Sequence, residues 1–346
     1  MTQDTPPGPD MEAFLADRRL QDYKGARALV TGGLGFIGSN TVRALNALGA
    51  RAVVLDSMAE GHGANRFNLR GIEDAVDVRI ADIRDQAAVA AALEGCDFVF
   101  SIAGLGSHLE SLEDPFLDLD VNGRGTLTVL EAARKHAPGA RVVYSGTRSE
   151  YGRIQSRPVS ETHPLLPTES NSADKALGTL YHIAYHAAHG MHTVSLRLTN
   201  TYGPRMLVQH YRQGFINWFV RLAVEGATFR LYGDGSQVRD LVYVDDTVRA
   251  LLLAAVVPEA AGQVMNVGSG RPASLKEIAE TLVEIAGRGA IEYVPFPEDA
   301  RRIEIGDYVA DVSRIKDTLG WSPTVSLREG LERSVRYYER YREHYW

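Results

Sequence analysis

The stretch "VTGGLGFIGSN" sets Gly32, Gly35 and Gly38 in a G-x-x-G-x-x-G spacing, between an apolar run and a run with helical periodicity. No other stretch restricts the fold as tightly. Glycines so spaced permit a tight turn, close approach of backbone to a pyrophosphate, and close helix–strand packing. The helix N-terminus behind them favours negative charge. The next apolar strand, "RAVVLDS", ends in Asp56. An acidic side chain there accepts both hydroxyls of a ribose and repels a 2′-phosphate, so the expected ligand is NAD rather than NADP. Phe36 and Ile37, which open the helix, join the expected cofactor contacts.

The same alternation continues. "DVRIADI" and "CDFVFSIAG" read as the third and fourth strands, "ARVVYSGT" as the fifth and "HTVSLRLTNTYGP" as the sixth, with "DQAAVAAALEG", "NGRGTLTVLEAARKH" and "SADKALGTLYHIAYHAAHG" as helices between them. Strands alternating with helices imply a parallel sheet covered on both faces. The expected fold is α/β: a Rossmann-type doubly wound parallel sheet with a smaller C-terminal α/β substrate lobe. Residues 1–22 read as a tail, disordered to residue 10, with a short helix over 11–22. Residues 23–204 form the nucleotide-binding domain. Residues 205–346 form mainly the second lobe, interleaved with the first. Asp82 and Ile83 follow the third strand, where they could clasp adenine, although Asp82 reads equally as a helix cap. Ala103 and Gly104 end the fourth strand, where small residues let the cofactor approach.

Charge and cysteine usage narrow the function. The net charge of −7 comes without a basic stripe, which disfavours a phosphate-tracking nucleic-acid binder. The single cysteine, Cys96, precludes an internal disulfide and fits a reducing compartment, so the expected location is cytoplasmic. No apolar run reaches membrane-spanning length and no secretory leader is recognisable. His182 and His186 stand four apart on one helix, but "HIAYH" lacks the HExxH form and no metal is expected.

The chain resembles the extended short-chain dehydrogenase/reductases, specifically the nucleotide-sugar epimerases and dehydratases. The resemblance runs from about residue 26 to the C-terminus. It rests on "TGGLGFIGSN", "ADIRD", "SHLESLEDP", "NGRGTLTVLEAAR", "VVYSGTRSEYG", Lys175, "LRLTNTYGPR", "GDGSQVRDLVYVDD", "MNVGSG" and "ADVSRIKDTLGWSP". It implies NAD as a transient oxidant of a sugar hydroxyl, usually at carbon 4, and a nucleoside-diphosphate sugar as substrate. It implies that Thr147 hydrogen-bonds the reacting oxygen and that Lys175 holds the nicotinamide ribose. By the same resemblance Ser145 lines the nicotinamide pocket and Asn122 supports the active-site end of its helix. Ser107, His108, Asn200, Tyr232, Arg239 and Arg302 are the implied substrate contacts. It further implies a homodimer formed through a four-helix bundle.

The resemblance departs from the family pattern in two places, the first of them four residues before the lysine. The family keeps a tyrosine four residues before the lysine, and here that residue is Asn171. Before Lys24, Lys135, Lys276 and Lys316 the same offset gives Leu20, Glu131, Pro272 and Val312. An amide orients a hydroxyl but does not take its proton. Three readings stay open. Lys175 is the base, another group such as Glu150, Tyr151, Glu110 or His108 reaches in, or the chain is a non-catalytic binder of NAD and nucleotide sugar. The two residues after Thr147 are Arg148 and Ser149, where 4,6-dehydratases of the family keep an acid pair. That favours an epimerase over a dehydratase or decarboxylase working through the same keto intermediate.

Overall fold

The computed structural model describes residues 9–209, 214–296 and 306–346. The disorder expected for residues 1–10 falls almost wholly outside this range. The short helix expected over 11–22 is two pieces, α1 (Pro9–Leu15) and a 3-10 turn (Arg18–Tyr23).

The central sheet has seven strands. They are β1 (Arg27–Thr31), β2 (Arg51–Asp56), β3 (Asp77–Ile80), β4 (Phe98–Ser101), β5 (Arg141–Thr147), β6 (Thr193–Leu198) and, from far down the chain, β10 (Val264–Val267). The order is β10-β6-β5-β4-β1-β2-β3, and every pairing is parallel. Direction of travel reverses between β1 and β4, the switch point where such sheets open a crevice at their carboxyl edge.

Successive strand residues point to opposite faces, and both faces are filled. Leu29, Val53, Val99 and Val142 pack with Val89 and Leu93 of α3 (Gln86–Leu93) and Val129 of α6 (Thr126–His136). Val30, Val54, Phe100 and Val143 pack with Val42 and Leu45 of α2 (Phe36–Ala47) and Leu251 of α9 (Val244–Val256). This double burial explains why the strands read as unbroken apolar runs. Two short helices, α4 (His108–Glu113) and α5 (Pro115–Asp118), and a π-helical turn (Leu119–Gly125) lead into α6. The long α7 (Ser170–His189) lies against β5 and β6 and against that π-helical turn.

The expected sixth strand is two strands. It breaks at Thr199, whose N–H donates to Val267 O at 2.9 Å and whose hydroxyl donates to Asp240 O at 2.7 Å. Beyond it β7 (Asn200–Tyr202) leaves the main sheet and pairs with β9 (Val238–Tyr243), which also pairs with β11 (Pro272–Ser274). A second small sheet joins β8 (Thr228–Tyr232) to β12 (Ala290–Val294). Three helices, α8 (Phe215–Glu225), α10 (Leu275–Ala286) and α12 (Leu327–Tyr341), pack together beside these sheets, while α11 (Ser313–Leu319) rests on β10. Among the described residues no helix is long and apolar enough to cross a membrane.

Candidate active site

The glycine turn is built so that side chains cannot enter it. Gly32 has φ +70°, and a Cβ there would lie 2.9 Å from Ala103 Cα. A Cβ on Gly38 would lie 2.1 Å from Gly32 O. Gly35 caps α2 without a side-chain partner for the first-turn amides, which leaves those donors for an anion. The Asp56 carboxylate accepts from Leu34 N and Met58 N, each at 2.9 Å, and so ties the turn to the end of β2.

These elements border a cavity of about 420 Å³. Gly32, Gly35, Phe36, Ile37, Gly38, Asp56, Asp82, Ile83, Ala103, Gly104 and Ser145 all line it. Asp82 holds a second role, since its carboxylate is gripped by Arg84 through Nε at 3.0 Å and Nη2 at 2.7 Å. Asn122, also counted among the expected cofactor contacts, is corrected on that point. It is buried and lies outside the cavity. Its amide exchanges two hydrogen bonds with the Leu105 backbone, both 3.1 Å, so it shapes the loop after β4 rather than touching a cofactor.

A second cavity, about 270 Å³, shares Phe36, Ile37, Gly104 and Ser145 with the first. Thr147, Asn171, Lys175, His108 and Asn200 border it. Lys175 Nζ donates to Ser145 O at 2.7 Å and lies 4.7 Å from the Tyr144 ring centroid. Burial lowers its pKa to about 8, against the opposing pull of the Glu150 and Asp118 charges. The Thr147 hydroxyl accepts from Ser149 N at 3.3 Å, while its own N–H donates to Glu150 Oε1 at 2.9 Å. Asn171 donates through Nδ2 to Leu105 O at 2.8 Å and to Asp118 Oδ1 at 3.0 Å. Asn200 Oδ1 accepts from Arg148 Nε at 3.1 Å.

Other expected site residues lie elsewhere. Glu150 is corrected. Its side chain is fully buried beneath the turn after β5 and bridges Arg197 Nε at 2.7 Å. Burial pushes its carboxyl up, and the Arg197 charge and the Thr147 N–H pull it back. It holds the Thr147 loop and does not reach the cavity. Tyr151 is sealed in beside it, donating to Asn266 Oδ1 at 2.6 Å. Ser107 is buried and caps α4 by accepting from Glu110 N at 3.2 Å, so it is a capping residue rather than a sugar contact. Arg239 is also buried and lines neither cavity; its Nη1 donates to Val238 O at 3.0 Å. Tyr232 packs on Phe296 with ring centroids 5.3 Å apart, outside both cavities. Arg302 lies outside the described residues.

Sequence reasoning passed over two residues. Asn217, a polar residue on the buried face of α8, reaches the second cavity from the smaller lobe. Glu169 caps α7 and binds His108 Nδ1 at 2.9 Å. Its signal was a carboxylate at the start of the helix that carries Lys175.

The family model of the NAD dependent epimerase/dehydratase family matches residues 28–268. The chain is 35% identical over 332 residues to the dTDP-glucose 4,6-dehydratase of Streptomyces griseus, covering 91% of this chain and 94% of that one. It is 33% identical over 320 residues to the UDP-glucose 4-epimerase of Mycolicibacterium smegmatis, covering 90% and 98%. Among solved structures, the UDP-glucose 4-epimerase of Thermotoga maritima with UDP-glucose superposes with a TM-score of 0.83 at 30% identity, over 91% of this chain and 99% of that one. A glycine cradle closed to any Cβ, Asp56 at the end of β2 and Lys175 beside Ser145 are what a dinucleotide needs here. The chain belongs to the NAD-dependent epimerase/dehydratase family, an enzyme family acting on nucleotide sugars, and its cofactor is NAD.

Proposed function

We propose that the protein is an NAD-dependent epimerase of a nucleoside-diphosphate sugar, acting through a transient ketone at carbon 4. The observation that carries this reading is the lining of the second cavity: among the described residues bordering it there is no carboxylate. Elimination of water needs an acid at the departing hydroxyl, in addition to the group that takes the proton from the oxidised one. The positions after Thr147 are Arg148 and Ser149, and Glu150 is locked to Arg197. Removal and return of a hydride at one carbon needs no such acid.

NAD, when bound, supplies the hydride acceptor and donor. The Thr147 hydroxyl orients the reacting sugar oxygen, and Lys175 holds the nicotinamide ribose and adds positive charge beside the oxygen as it sheds its proton. Asn200 and Asn217, which both border the cavity, offer amides to the rest of the sugar nucleotide.

The test is incubation of the purified protein with NAD and UDP-, dTDP-, GDP- and CDP-sugars in deuterated water, followed by NMR. A new isomer free of carbon-bound deuterium is the expected product. Loss of water would move the assignment to dehydratase, the reading that the identity to the Streptomyces griseus enzyme favours. Binding without turnover would favour a non-catalytic nucleotide-sugar binder, the reading that Asn171 favours.

The assembly we infer is a homodimer. Phe116, Leu112 and Leu119, 82%, 54% and 44% exposed, stand on the segment that packs against α7, which itself exposes Leu180 (50%) and Ile183 (40%). An apolar face of this kind on a water-facing surface marks an interface.

A further inference from the structure

Among the described residues no tyrosine borders the second cavity. We propose that His108 is the proton-accepting residue, oriented by Glu169; this rests on the epimerase reading above. His108 borders the same cavity as Thr147 and Lys175. Its side chain is 45% exposed, whereas that of Glu169 is 3% exposed.

The bond between them fixes the tautomer. Glu169 accepts from Asn171 N at 2.7 Å, Ser172 N at 2.9 Å and Ser111 Oγ at 2.9 Å, and also from the Ser172 hydroxyl. Burial alone would raise its pKa, but the hydrogen bond from His108, the charge that ring carries when protonated, and hydrogen bonds from Ser172 and Ser111 hold it down to about 2. An ionised carboxylate only accepts, so the hydrogen between the two residues sits on His108 Nδ1. That leaves the Nε2 lone pair to take a proton. Because Glu169 caps α7, the pair is held in register with Asn171 and Lys175 of the same helix.

Rival groups fit less well. Lys175, with a pKa of about 8, is mostly an ammonium at neutral pH and has no lone pair in that form. The His62–Glu110 pair is 3.8 Å apart, beyond hydrogen-bond reach, and His62 borders the cofactor cavity. The titratable groups on the elements packed around the imidazole are Glu110 and Glu113 on α4, Asp114 between α4 and α5, Asp118 at the end of α5, His62 opposite Glu110, and Glu169, Asp174 and Lys175 at α7, where burial and the neighbouring Asp118 raise Asp174 to about 7.

In the forward step the sugar O–H bond breaks toward His108 Nε2 and the carbon-bound hydrogen leaves as hydride to NAD. The O–H electron pair becomes the second carbon–oxygen bond, giving ketone, NADH and imidazolium. Return of the hydride to the other face of the ketone, with the proton from Nε2, completes epimerisation.

The test has two readouts on NAD-loaded protein. Nitrogen-15 NMR of His108 should show the Nδ1–H tautomer in the wild type and its loss in Glu169→Gln. On the sugar that turns over, His108→Gln should lower kcat about 10²- to 10⁴-fold and remove the acid limb of the kcat–pH profile, with KM within about threefold and an unchanged melting temperature. An Nε2–H tautomer in the wild type, or a His108→Gln enzyme with kcat within about threefold and the same profile, overturns the proposal while leaving the epimerase reading intact. If no sugar turns over, the epimerase reading and the proton-accepting role of His108 fall together, and the tautomer then decides only whether Glu169 orients the ring: Nδ1–H supports that orientation and Nε2–H removes it.

Discussion

The side-chain amide of Asn171 reaches Asp118 Oδ1 at 3.0 Å while its other hydrogen reaches Leu105 O at 2.8 Å. It therefore fastens the loop after β4 to the end of α5, from the position where the family resemblance leads one to expect a proton acceptor. A phenol has one hydrogen to give, where the amide gives one to each of these two acceptors. Asn171→Tyr should therefore not raise turnover. It should cost about 1–3 kcal/mol by leaving a buried acceptor without its donor. Thermal melts and sugar turnover check this; an equally stable and faster variant would show the reasoning wrong.

Lys175 gives a pH signature. Its folded pKa is lowered to about 8 from 10.5, chiefly by burial. Below pH 8 both folded and unfolded chains carry the proton, and the cost of burying the charge is present in full. Between about pH 8 and 10.5 the unfolded chain holds more protons, so stability rises with pH. Relative to Lys175→Met, the wild type should gain at most about 3 kcal/mol across that window. Urea unfolding of both proteins at several pH values measures it, and a difference that stays flat would refute the assignment.

Glu150 and Arg197 make a buried ion pair, with side chains 0% and 5% exposed. Removing one partner strands the other charge. Glu150→Gln should lower stability by about 3–5 kcal/mol. The check is denaturant unfolding, and a loss under 1 kcal/mol would mean that the pair is not what holds this turn.

The exposed apolar face gives an assembly prediction. Leu180→Glu combined with Phe116→Glu should convert a dimer to a monomer in light scattering at micromolar concentration, with little change in the melting temperature of the isolated subunit. A wild type that is already monomeric removes the proposal.

Much of the cofactor half was legible because its determinants are local. Gly32, Gly38 and Asp56 lie within 25 residues of one another, and each acts through backbone that its own neighbours build. The sugar half depends on distant partners. Glu150 looked like an available acid until Arg197, 47 positions on, closed over it. His108 and Glu169 are 61 positions apart, and nothing local to either announces the other. The break at Thr199 was invisible for the same reason. An apolar run reads as one strand, and only Val267 and Asp240 decide that it serves two sheets.

The seventh strand of the main sheet, Val264–Val267, has a consequence for biosynthesis. It seals the outer edge of β6 through the register Val264↔Ser195 to Val267↔Leu198. A ribosome must therefore deliver more than 260 residues before the nucleotide-binding half is closed. Until then the nascent chain carries an open row of N–H and C=O groups along β6, the kind of edge that recruits foreign strands. A fragment cut after residue 204 would also lack α9, which covers β5 and β6. Such a fragment should be recovered as aggregate rather than as a soluble NAD-binding domain.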